Sequence, residues 1–185
     1  MRNLAACAVL VLSAALAARA EDADKEAKLD TPEKCMEAYK ASALKADGKG
    51  MWKCFSPATR KALAERAAAE LKEVVANAEM KAEAAKDLGV KEEDLEKMTA
   101  EEFIVARLAS SLKENKEEIE KAKIEVTKKE DERAIASIDE GKDHKEQLVL
   151  LKKDGEWGID MEETQKLGHN HEEGEGDEKD GEGSK

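Results

Sequence analysis

The stretch AKIEVTKKEDERAIASIDEGKDHKEQLVLLKKDGEWGIDM, residues 122–161, decides the fold class. Apolar residues alternate with polar ones in its first two segments, as in half-buried strands; they are Ala122, Ile124 and Val126, and then Ala134, Ala136 and Ile138. The residues expected to point inward are Ala122, Ile124, Val126, Leu148, Leu150, Trp157 and Ile159. Residues 147–151 are apolar on both faces, which favours a central strand. Asp154-Gly155 is typical of a hairpin turn before a last strand that contains Trp157. The stretch therefore predicts a meander of four antiparallel strands.

Helical patterns precede this stretch. Thr31-Pro32 and Ser56-Pro57 each place a capping residue before a proline, which suits the first position of a helix. Thr99 and Glu102 have the spacing of a capping box and predict the start of a third helix. Helices followed by antiparallel strands indicate an α+β fold, in which N-terminal helices pack on a curved antiparallel sheet of about four strands.

The segment 58–88 is rich in Ala, Glu, Lys and Leu and predicts one long helix, an extended helical insertion. Its apolar residues recur at steps of three or four: Leu63, Ala67, Leu71, Val74, Val75, Ala78, Ala82 and Ala85. Such a stripe either covers the sheet or binds a partner helix. About three heptads are marginal for an independent coiled coil, which favours the first interpretation.

The two ends of the chain differ in composition from its middle. Residues 1–20 have a basic start, an apolar run and an Ala-Arg-Ala exit, which predict a secretory signal peptide cleaved after Ala20; the alternative is an uncleaved anchor. We expect export to the periplasm or the extracellular space. Residues 21–30 form a charged lead-in, residues 31–161 form the domain, and residues 162–185 are predicted to be a disordered acidic tail.

Charge limits the choice of partners. The formal net charge is −12, and 41% of the residues are charged while only 3% are aromatic. An acidic surface argues against nucleic acid and anionic lipid, because both are bound through clustered Lys and Arg. It favours cations or basic partners. After signal cleavage no stable membrane span is expected.

Two cysteines would remain after cleavage, Cys35 and Cys54. Outside the cytoplasm they can form a disulfide. They can equally remain as two buried free thiols, since free cysteine packs as a small hydrophobic residue. The sequence leaves both alternatives open.

The order of these elements resembles the nuclear transport factor 2-like superfamily, whose cone-shaped fold includes ketosteroid isomerase-like enzymes. The likeness spans roughly residues 30–161. It rests on the Thr31-Pro32 helix start, on Trp52 and Phe55 before Ser56-Pro57, and on Trp157 after the Asp154-Gly155 turn. The long helical stretch between Ser56 and Thr99 departs from the family pattern. The superfamily contains enzymes, binding domains and scaffolds, so kinship alone implies no activity.

The resemblance implies a cone that can hold a ligand between sheet and helices. Candidate lining residues are Tyr39, Trp52, Phe55, Trp157 and His144, although scarce large residues more often build a core. The expected inward positions are apolar, so no catalytic residue and no cofactor is predicted. An isomerase or hydrolase would need His144 or Glu125 to point inward beside another titratable group.

The acidic tail contains His169 and His171, which with neighbouring carboxylates could bind a divalent metal loosely. A solubilising tail is the simpler interpretation, because a flexible segment lacks the surrounding contacts that hold ligands in place. We therefore expect an exported, non-enzymatic domain that binds a small apolar ligand or a protein partner. The alternatives are an enzyme of the cone fold and cation binding by the tail.

Overall fold

The structure is a computed structural model that describes residues 28–139, 141 and 145–172, with only the backbone described for residues 169–172. Within these residues eight helices and four strands are formed. The helices are α1 Pro32–Leu44, α2 Gly48–Lys53, α3 Pro57–Ala76, α4 Ala78–Leu88, α5 Glu92–Leu95, α6 Ala100–Glu114, α7 Lys116–Lys121 and α8 Met161–Glu172. The strands are β1 Lys123–Lys129, β2 Arg133–Asp139, β3 Lys145–Lys153 and β4 Glu156–Ile159.

The strands form one antiparallel sheet in the order β1-β2-β3-β4, which is not closed. A register shift between Val126 and Lys128 interrupts the first pairing. At the last turn Asp154 and Gly155 have φ values of 53° and 86°, as the predicted hairpin requires. The α+β class and the meander of four strands are confirmed.

The main core lies between the sheet and α1, as the alternation predicted. Side chains on one face of β2, β3 and β4 pack with Cys35 and Met36 of α1 and with Cys54, which directly follows α2; they are Ala134, Ala136, Ile138, Leu148, Leu150, Trp157 and Ile159. Ala122 is buried in the same cluster, while Ile124 and Val126 pack against it half-buried. Backbone bonds from Ile159 N to Cys54 O and from Ser56 N to Ile159 O, both 2.8 Å, tie the end of α2 to β4.

The helical insertion has a second core, formed by Ala67, Val74, Ala85, Leu95 and Phe103. The prediction of one helix over residues 58–88 is wrong, because the chain breaks at Asn77 into α3 and α4. The Asn77 side chain accepts hydrogen bonds from Glu79 N and Met80 N and thereby caps α4. The apolar stripe is interrupted at the same place, since Ala78 and Ala82 are exposed.

The prediction that residues 162–185 are disordered is wrong for its first part, because α8 continues to Glu172. The cause is the cap formed by Asp160, whose Oδ1 accepts a hydrogen bond from Glu163 N at 3.0 Å. One turn later Thr164 Oγ1 accepts from Val149 N at 2.9 Å, which holds α8 against β3. Residues 173–185 lie outside the described residues, as do the predicted signal peptide 1–20 and most of the lead-in 21–30.

Of the helices that the structure describes, none combines the length and apolar character needed to cross a membrane.

Candidate functional site

The aromatic residues predicted to line a cone site belong to the protein core. Trp52 and Trp157 are 5% and 4% exposed, whereas Tyr39 and Phe55 are half-buried against the main core. Trp52 and Phe55 pack edge to face, with ring centroids 6.5 Å apart. Trp157 is thus part of the core between α1 and the sheet, and Tyr39 and Phe55 pack against it, where a ligand would need space.

The remaining predicted site residues are the three histidines and Glu125. His144 lies outside the described residues. His169 and His171 lie in the last turn of α8 as far as their backbone is described. Glu125 is exposed on β1, so it does not point into the core. Nowhere in residues 28–139, 141 and 145–168 do three or more His, Cys, Asp or Glu side chains come together to hold a metal ion.

A buried polar cluster lies where α3 and α8 begin. Ser56 Oγ donates to Asp160 Oδ2 at 2.8 Å and accepts from Thr59 N at 3.1 Å, while Thr59 Oγ1 accepts from Met161 N at 3.0 Å. All three polar residues are at most 5% exposed. Both Asp160 oxygens are thus occupied by bonds that cap or join helices, which makes this cluster a structural junction.

An open groove lies on the helical insertion, between α3, α4 and α6, and we call it the insertion groove. Its volume is about 280 Å³, close to the lower end of the roughly 300–1,000 Å³ of small-molecule sites. It is lined by Glu70, Val74, Met80, Glu83, Ala84, Asp87, Leu88, Phe103 and Arg107.

The floor of the insertion groove is apolar and its edge carries an unusual methionine. Phe103 is 1% exposed and Val74 is 5% exposed, so both form a fixed base. Met80 is 40% exposed and is the exposed large hydrophobic residue of the described chain. A flexible thioether beside an apolar floor is suited to variable partners, although a single exposed apolar residue is also common on ordinary surfaces.

The rim of the insertion groove is acidic. Its carboxylates Glu70, Glu83 and Asp87 outnumber the one guanidinium, that of Arg107, which leaves a formal charge of −2. Arg107 is held in place, because it pairs with Glu70 and lies 5.9 Å from the centroid of the Phe103 ring. Glu83 and Asp87 lie one turn apart on α4 and repel each other mildly. A positive group bound between them would relieve that repulsion.

A second concavity of about 280 Å³ lies between α3 and α8. It contains the apolar side chains of Ala58, Ala62 and Leu63, with Met161 at one side. Its polar wall includes Thr59 and Asp160, which already serve the structural junction. It also lacks a buried aromatic floor, so the insertion groove is the better candidate.

The insertion groove was not predicted from the sequence, because residues 58–88 were expected to form one unbroken helix. Two signals were available. Asn77 is a strong capping residue followed two positions later by an acid, Glu79, and Met80 is a large apolar residue that the alanine stripe does not include. Phe103 and Arg107 follow the predicted start of the third helix at Thr99, but their place in the groove depends on residues of α3 and α4.

No family model matches the chain, and no curated protein or solved structure is significantly similar to it.

Proposed function

We propose that the protein is a non-enzymatic binding domain whose insertion groove receives a basic, amphipathic helical segment of a partner protein. The observation that carries the proposal is the combination of a buried Phe103 floor, an exposed Met80 and an acidic rim. An amphipathic helix lays apolar anchors into such a groove, and its charged residues face the rim. The short spacing of Glu83 and Asp87 on α4 matches one helical turn of basic side chains.

The charge of the whole chain supports the same kind of partner. A net charge of −12 attracts basic proteins over a distance and repels a second copy of this chain. A small apolar ligand has less support, because Trp157 is buried in the core in which the ligand was expected, and Tyr39 and Phe55 pack against that core. Cation binding by the tail has no supporting observation, since its predicted ligands His169 and His171 have no described side chains.

The proposal is tested with a synthetic helical peptide that carries leucine on one face and lysine on the other. Its counterpart, with glutamate in place of lysine, is the peptide control. Binding is measured by fluorescence anisotropy at low salt, because screening weakens contacts between exposed charges. We expect saturable binding of the lysine peptide and none of the glutamate peptide.

Matched substitutions on opposite sides of α4 locate the site. Glu83→Lys reverses a charge in the insertion groove, and Glu93→Lys makes the same change in a concavity on the other side of α4. We expect Glu83→Lys to weaken the lysine peptide about tenfold and Glu93→Lys to have a much smaller effect. Equal effects of the two substitutions, or equal binding of the two peptides, would contradict the proposal. Sedimentation velocity that shows a dimer sensitive to Glu83→Lys would instead assign the groove to a second copy.

We also propose that the domain is a divergent, exported member of the nuclear transport factor 2-like superfamily. The support is the order of α1, the short α2 that leads into Ser56-Pro57, and the β3–β4 hairpin, together with the signal-like residues 1–20. Export is tested by N-terminal sequencing of the protein recovered from the cell envelope and medium. A start at Glu21 is expected, and an intact Met1 in the cytoplasm would contradict export.

A further inference from the structure

Two thiols meet in the main core although they are far apart in the sequence. Cys35 lies in the first turns of α1, and Cys54 directly follows α2. The Cys35 thiol donates to Cys54 O at 3.7 Å, and the Cys54 thiol donates to Gly50 O at 3.4 Å. The two side chains also interact with each other directly. Both cysteines are free thiols in the structure, and folding places them in the same buried cluster.

We propose that Cys35 and Cys54 are a disulfide site, oxidised by a thiol–disulfide donor while the chain folds. One cysteine thiolate attacks the donor disulfide and forms a mixed disulfide, releasing the first donor thiol. The second cysteine thiolate then displaces the second donor thiol and closes the Cys35–Cys54 bond. The donor disulfide is reduced to two thiols, which take up the two protons that the cysteines lose.

Burial determines when this exchange takes place. Cys35 and Cys54 are 0% and 1% exposed. The hydrogen bond with Cys54 and, after it, burial raise the pKa of the Cys35 thiol, whereas the same hydrogen bond lowers the pKa of the Cys54 thiol. Since neither sulfur atom is accessible to an external thiol or disulfide, the folded protein exchanges slowly in either direction. The bond consequently forms before the core closes and afterwards resists external reductant.

A Cys35–Cys54 disulfide would stabilise the contact between α1 and the end of α2 in the main core. The two cysteines are 19 residues apart, and the loop between them contains most of α1 and all of α2. Closing a loop of this size restricts the unfolded chain. For a domain of this length the gain corresponds to a rise in Tm on the order of 10 °C.

The test is a peptide map of the full chain after refolding in glutathione redox buffer and alkylation under denaturing conditions. Trypsin releases the two cysteines in separate peptides, residues 35–40 and 54–60, and Cys7 in neither of them. We expect the two peptides to be linked, and the link to disappear when reductant is added before alkylation. Two alkylated cysteines, glutathione adducts, or a bond to Cys7 would overturn the proposal.

Thermal unfolding gives a second measurement that does not depend on the map. The oxidised chain should melt on the order of 10 °C above the chain refolded with reductant. In the double variant Cys35→Ala, Cys54→Ala, the two refolding conditions should give the same Tm. An equal Tm for the oxidised and reduced wild-type chain would also overturn the proposal. Neither measurement involves the insertion groove, so the outcomes of both are independent of peptide binding to that groove.

Discussion

Replacement of Asp160 by alanine should destabilise the protein more than most single substitutions. Asp160 is 5% exposed and uses both carboxylate oxygens. Oδ2 accepts from Ser56 Oγ at 2.8 Å, and Oδ1 caps α8 through Glu163 N at 3.0 Å. The side chain thus joins the start of α3 to the start of α8, and alanine would remove both bonds.

The expected cost follows from these two bonds. Loss of a helix cap costs about 1 kcal/mol of unfolding free energy, and loss of a hydrogen bond to a charged group costs about 1.5–3 kcal/mol. Asp160→Ala should therefore lose about 2.5–4 kcal/mol, a large part of the roughly 5–15 kcal/mol by which domains are stable. Asp160→Asn keeps an oxygen for the cap, and its amide can donate to Ser56 Oγ. That variant should lose only about 1 kcal/mol.

Urea unfolding followed by tryptophan fluorescence measures both losses, because Trp52 and Trp157 are buried. Far-UV circular dichroism at zero urea reports in addition whether α8 remains helical. A loss of less than about 1 kcal/mol in Asp160→Ala, or an equal loss in the alanine and asparagine variants, would contradict this prediction. Either result would mean that the carboxylate does not hold the junction.

Two further predictions concern a glycine and an acid. Gly48→Ala should lower the free energy of unfolding by about 3 kcal/mol, since a Cβ there would lie 2.1 Å from Val105 O. The control Gly168→Ala should be neutral or stabilising, because a Cβ at that position meets nothing within 4 Å. If thermal unfolding ranks the two variants in the opposite order, the packing of α2 on α6 is contradicted. Hydrogen bonds from the Thr99 backbone and then its hydroxyl lower the pKa of Glu102 below 4.5. Its stabilising contribution is therefore present above about pH 4.5 and is lost as the pH falls through the lower folded pKa. Between neutral and acidic pH, the urea midpoint of Glu102→Gln should fall less than that of the wild type. An equal fall in both proteins would contradict this prediction.

The sheet could be predicted from the sequence because each strand carries its own signal. Period-two alternation identified β1 and β2 as half-buried strands, and Asp154-Gly155 located the last hairpin. The starts of α1, α3 and α6 were equally local, since Thr31, Ser56 and Thr99 each cap the helix that follows. Contacts between residues at most four positions apart can be predicted from the sequence, and these elements depend on such contacts.

The insertion groove and α8 could not be predicted in the same way. The groove exists because α4 turns away from α3 at Asn77 and meets α6, where Ser110 Oγ donates to Asp87 O at 2.9 Å. Helix α8 is held by contacts with Ser56 and Val149, which lie far away in the sequence. The composition of residues 162–172 alone favoured disorder, because little apolar surface is available there. Tertiary contacts overrode that preference.

The central claim, that the insertion groove binds a basic amphipathic segment, is tested most directly by methyl NMR of the protein labelled with ¹³C at its methionine methyl groups. Met80 reports on the insertion groove, Met161 on the second concavity, and Met36 and Met51 on buried positions. Titration with the lysine–leucine peptide should shift the Met80 resonance saturably and leave the other three unchanged. A shift confined to Met161, or no shift at Met80 at saturating peptide, would contradict the account.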